Sequence, residues 1–196
     1  MKPRTWRLFI AWSLIVLGAG SVYSSISSAH FFLNHDSGLD VLLKYESLLT
    51  AMPGGSAQQV LDPEGPVVQL LDALLRVLKS EPQLWVQLFL FTVVYGLITA
   101  GGIGLVRKDP WARSVSIGSC WAATALVPHQ IYVVHRIFDG LLQAVESVMG
   151  LPLPPEAVTM LYRGTDISII LGTLGVFPVL VWIMSRPNFV KECASS

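Results

Sequence analysis

The 196-residue chain is 53% hydrophobic and only 13% charged, with a formal net charge of zero. A soluble domain carries about 25% charged residues, so the composition excludes an ordinary soluble fold, and no basic patch suits a nucleic acid. The uncharged residues gather in four runs, 8–29, 83–106, 114–134 and 167–185. A helix needs roughly 20 apolar residues to cross the hydrocarbon core. Backbone polar groups in lipid must be satisfied internally, so each run is expected to be helical. The expected fold class is all-α: a polytopic membrane protein with four transmembrane helices and a small external helical cap, forming one membrane domain over residues 1–196.

The first run follows Lys2, Arg4 and Arg7. With "SSA" at 27–29 it resembles a cleavable signal peptide, although retaining it as a span gives the more consistent topology. It carries Gly18, Ser21, Ser25 and Ser28 along one face. Ser37 and Asp40 then suit the cap of a helix through "SGLDVLLKYESLLTAM", with Leu39, Leu42, Leu43, Leu49 and Met52 at helical spacing. "MPGGSAQQ" breaks it. Pro66 opens a second amphipathic segment, "PVVQLLDALLRVLKSEP". There Gln69, Asp72, Arg76 and Lys79 form a polar stripe opposite Leu70, Leu71, Leu74, Leu75 and Leu78. The external helical segments fall within 37–80 and 135–164.

The second run has Gly96, Ala100 and Gly104 at four-residue steps, a small-residue ridge expected to pack closely on another helix. Tyr95 in the same run is a group that could face a ligand or bond a neighbouring helix. The third run leads into "VPHQIYVVHRIFDG". Its apolar rhythm continues through Met149, so the span is expected to extend beyond the bilayer as one long helix, weakened near Thr124 by Pro128. Pro154 and Pro155 suit the start of a short helix. Arg163 and Asp166, three apart, are expected to pair where the fourth run begins.

Charge orders these runs. Eight cations lie in the N-terminal segment, the "RKDPWAR" turn and the C-terminal tail, beside only two acids; the remaining connections hold five cations and eleven acids. The positive-inside rule then places both termini in the cytoplasm of a multi-pass cell-membrane protein, a bacterial inner membrane being the expected setting. Cys120 and Cys193 belong to different levels of that topology, so a disulfide between them is not expected.

His30, His35, His129 and His135 all fall at the outer level. Neutral imidazoles on facing helices can bind a metal or haem, which makes these four the candidate ligands. A structural role at the interface is the simpler expectation, and no cofactor is required by any motif. The span centres hold no Asp, Glu, Lys or Arg, which argues against an ion-coupled pump. The expected role is therefore non-enzymatic: an accessory, scaffold or lipid-binding protein. Its partners would be membrane lipids, itself or another membrane protein. A metal- or haem-binding redox protein is the first alternative, and a small transporter or channel subunit the second.

Overall fold

A computed structural model describes residues 3–44, 62–150 and 152–194. Among the described residues all regular secondary structure is helical. In chain order the helices are α1 (Pro3–Asn34), α2 (Gly38–Lys44), α3 (Pro66–Ser80), α4 (Pro82–Arg107), α5 (Ala112–Ala125), α6 (Val127–Met149), α7 (Pro155–Leu174), α8 (Phe177–Ser185) and α9 (Pro187–Ala194).

Among the described residues three stretches are long and apolar enough to cross a membrane: Trp6–Asn34, Pro82–Arg107 and Pro155–Ser185. The run 114–134 does not form a fourth such helix, because it is divided between α5 and α6 at Leu126. The cause is local. Pro128 has no N–H to give the Thr124 carbonyl. The Leu126 N–H is shared between the carbonyls of Ala122, at 3.1 Å, and Ala123, at 3.3 Å. Helical bonding resumes when Gln130 N–H donates to the Leu126 carbonyl at 2.9 Å. At the other proline signal the outcome is reversed. Pro155 opens not a separate short helix but all of α7, which runs unbroken to Leu174.

The described residues divide into two compact units. The first comprises Met1–Ser27, Val86–Ile131 and Arg163–Ser196. Its core is built from Ile10, Ala11 and Leu14 of α1, Val94, Ile98 and Leu105 of α4, Ala112, Cys120 and Ala123 of α5, and Phe177, Leu180, Val181 and Met184 of α8. Two glycines allow α1 and α4 to meet backbone to backbone. A Cβ at Gly18 would lie 2.7 Å from the Tyr95 carbonyl oxygen, and one at Gly102 would lie 2.8 Å from that of Ala11. The contacts are reciprocal, one glycine from each helix, as an antiparallel pair requires. Between apolar helices in lipid, close packing of this kind replaces the hydrophobic effect as the source of association. At the end of α4, Lys108 adopts a left-handed conformation (φ 67°), and Asp109 N–H returns to the Gly104 carbonyl at 2.9 Å. Arg113 Nε donates to the Met184 carbonyl at 2.9 Å, placing a cation near the last turn of α8.

The second unit comprises Ser28–Trp85 and Tyr132–Tyr162. Ser37 Oγ accepts the Asp40 N–H at 3.1 Å and so caps α2. The remainder of the helix expected here, with Leu49, Met52 and the "MPGGSAQQ" break, lies outside the described residues. Gly38 packs against Val68 and Leu71 of α3, and its N–H donates to the Asp72 carboxylate. Lys79 pairs with Asp36 at 2.7 Å. Tyr162 donates to Asp139 at 2.6 Å, while its ring meets the edges of His135 and Phe138. Val68 and Leu75 are the buried residues of α3. Of the apolar side read from the sequence only Leu75 is fully buried, and the packed face is rotated toward the polar stripe, where Asp72 and Lys79 meet Gly38 and Asp36.

Candidate binding cleft

Within the first unit, five helices bound a cleft of about 380 Å³. Leu17 and Ser21 come from α1, Tyr95 from α4 and Gln130 from α6. The opposite wall is a single stripe, Thr165, Ser168, Ile169, Gly172 and Thr173 of α7, continued by Val176 and by Phe177 of α8. The alternating steps of three and one along that stripe keep its side chains on one face of a helix.

The cleft reaches from the middle of α1 and α4 toward one end of the third and fourth uncharged runs, where Gln130, Thr165 and Ser168 lie. At 1.5 Å per residue, Tyr95 is roughly 20 Å of helix from either end of α4. Ser21 is similarly central in Trp6–Asn34, and Ile169 in Pro155–Ser185. At that level every polar lining group is neutral, and no Asp, Glu, Lys, Arg or His contributes.

Local packing fixes the lining. The Tyr95 ring is held between Phe91, 5.3 Å away, and Phe177, 5.9 Å away. Ser168 Oγ donates to the Gly164 carbonyl at 2.8 Å, leaving its lone pairs to accept. The side chains of Ser21, Tyr95, Gln130 and Thr173 make no hydrogen bond with any other described residue. Together they offer several donors and acceptors that the protein itself does not use.

The four histidines do not share this cleft, and each has its own surroundings. His30 is exposed on α1. His35 is buried, stacks on Phe31 with ring centroids 4.5 Å apart, and bonds the Phe31 carbonyl through Nδ1 at 2.9 Å. His135 meets the Tyr162 ring edge to face at 4.7 Å. His129 is half-buried, with its Nε2 enclosed and unbonded. His129 belongs to the first unit and the other three to the second. Among the described residues no three His, Cys, Asp or Glu side chains are grouped to hold a metal ion. Neither Cys120 nor Cys193 takes part in a disulfide among the described residues. Burial pushes the Cys193 thiol above its ordinary pKa, against the opposing pull of Arg7.

The small-residue ridge divides as well. A Cβ at Gly104 would lie 2.7 Å from that of Ala112, whereas Gly96 has open space around it. Four residues overshoot one turn, so positions 96 and 104 diverge by about 80° around the helix. The contacts that bring helices closest are made one step aside, by Gly101 against Ser116 and Gly102 against Ala11 and Ile15. Sequence reading singled out Tyr95 and Ser21 but passed over Gln130, Thr165, Ser168 and Thr173. The signal that finds them is a run of neutral polar residues on one face of an otherwise apolar helix.

Among the described residues these features define an all-helical fold with three helices long and apolar enough to cross a membrane and an uncharged cleft. No family model, curated protein or solved structure matches the chain.

Proposed function

We propose that the chain is a multi-pass cell-membrane protein that binds a lipid-like molecule without transforming it. The observation that carries this reading is the cleft, whose lining supplies apolar walls and neutral hydrogen-bonding groups in place of charge. A volume of a few hundred Å³ with a few directed polar groups is the usual form of a small-molecule site. The topology that accompanies it has four crossings, α5 and the first turns of α6 serving as the third. Both termini and the "RKDPWAR" turn face the cytoplasm, while the acid-rich connections face outward. The support for that orientation is the distribution of Lys and Arg.

Native mass spectrometry of the protein released from a gentle detergent tests the binding role. A stoichiometric small-molecule adduct is expected on the wild type and is expected to be lost in Thr173→Leu, which fills the cleft. A wild type without an adduct, prepared from its own membrane, overturns the reading. Labelling of Glu64→Cys by an impermeant maleimide from the cytoplasmic side overturns the topology.

A further inference from the structure

We infer that the cleft selects an uncharged lipid with several polar atoms in its head, of the diacylglycerol class, over the charged phospholipids that surround it. The inference rests on the lipid-binding reading and adds the chemistry of the ligand.

Depth and charge decide the first part. A charged group brought to the middle of a bilayer costs several kcal/mol or more unless it is paired. The cleft offers no such pair, because its polar lining consists of Ser21, Tyr95, Gln130, Thr165, Ser168 and Thr173. A phosphate would lose its hydration and gain only neutral donors. An uncharged head made of hydroxyl and ester groups is much less costly to place there. It can also descend below the phosphate level, which a phospholipid head cannot do cheaply.

The number of unused groups decides the second part. Ser21, Tyr95, Gln130 and Thr173 come from four different helices and make no hydrogen bond with other described residues. Water is scarce at this level, so unmatched donors and acceptors are costly. A ligand with one hydroxyl, such as a sterol or long-chain alcohol, would satisfy one or two of them and strand the rest. A diacylglycerol carries one hydroxyl and two ester carbonyls. It therefore brings one donor and several acceptors to hydroxyls and an amide that do both. Leu17, Ile169, Val176 and Phe177 complete an apolar surround for the glycerol and the first methylenes, and the acyl chains remain in the bilayer.

The test uses the full chain in liposomes with two photoactivatable probes bearing identical acyl chains, a diacylglycerol and a phosphatidylglycerol, and peptide mapping of the labelled residues. The diacylglycerol probe is expected to label residues 165–177 several-fold more than the phosphatidylglycerol probe. Tyr95→Phe keeps the ring between Phe91 and Phe177 and removes one donor. Gln130→Leu removes the amide. Each should weaken labelling of the cleft about threefold to tenfold, the range of one neutral hydrogen bond. Ser168→Lys should reverse the preference by supplying a cation. Because an inserted lysine can unfold the bundle, the Tyr95→Phe result decides the matter on its own. Equal or stronger labelling of 165–177 by phosphatidylglycerol overturns the inference while leaving lipid binding intact. Unchanged diacylglycerol labelling of the cleft in Tyr95→Phe also overturns it. Labelling of the cleft by neither probe overturns the lipid reading together with the inference.

Discussion

The two units are held together by different chemistry. In the first, α1 and α4 meet through glycine and small side chains, the polar lining of the cleft is neutral, and charge enters at the helix ends, as where Arg113 donates to the Met184 carbonyl. In the second, helices meet through a carboxylate on a backbone N–H, an exposed Lys79–Asp36 pair and a tyrosine on an aspartate. Each mode fits its surroundings as read from the sequence. Where lipid surrounds the helices, burial of apolar groups gains little, and shape must provide the attraction. Where water surrounds them, amphipathic faces and short charged contacts are available.

The sharpest way to break this comparison is to add bulk to the first unit. Gly102→Leu would drive a side chain into the Ala11 carbonyl and Ile15. It should cost about 3 kcal/mol, the upper part of the overpacking range. Gly96→Ala on the same helix adds a Cβ that meets nothing within 4 Å and should stay within about 0.5 kcal/mol of wild type. Thermal unfolding in detergent compares them, and equal losses would mean that glycine contact is not what binds α1 to α4.

Asp72→Ala probes the second unit. It removes the acceptor of the Gly38 N–H and should cost about 1.5 kcal/mol, as expected for a hydrogen bond to a charged group. Loss of hydrogen-exchange protection at the Gly38 amide locates the effect. Retained protection would show that packing on Val68 and Leu71 suffices without the carboxylate.

The smallest effect belongs to Asp36. Its hydrogen bond to Lys79, reinforced by the opposite charge, holds the carboxyl below its ordinary value of 3.8. A carboxyl depressed in the folded state contributes stability that is present above that ordinary value. The contribution is lost as pH falls through the lower folded value. Asp36 is fully exposed, so the contribution is slight. Lys79→Met should flatten the acid limb of unfolding in this window alone, and an identical limb would show the pair to be inert.

The sequence made the long apolar helices legible because hydrophobicity sets their length directly. It also made α3 legible as a helix, because Pro66 and the leucines at 70, 71, 74, 75 and 78 opposite a polar stripe suit an amphipathic helix, although Val68, which is buried, was not among them. It showed a weakened turn near Thr124, from the N–H missing at Pro128, but not that the run 114–134 would divide there into two helices, since hydropathy does not register the break. Nor did it separate Gly96 from Gly102. Six residues apart on a helix they point in quite different directions, and only the position of α1 decides which of them is covered. The cleft was half legible. Tyr95 stood out as a polar residue in an apolar run and Ser21 only as part of a small-residue face, whereas Gln130 and the α7 stripe gain meaning only when the helices bring them together.

The interruption at Gly175–Val176 has a mechanical consequence. Pro178 near the start of α8 cannot donate to the Leu174 carbonyl, so the backbone ladder is weakest there. An unbroken helix resists bending along its whole length, whereas one interrupted once yields at that place. The stripe facing the cleft straddles the joint, with Gly172 and Thr173 before it and Val176 and Phe177 after it. Phe177, Leu180, Val181 and Met184 belong to the core, so the half of the stripe beyond the joint is tied to the packing of the first unit. Any bend at the joint would therefore displace Gly172 and Thr173 relative to Phe177, which makes the joint the cheapest place to change the room beside them.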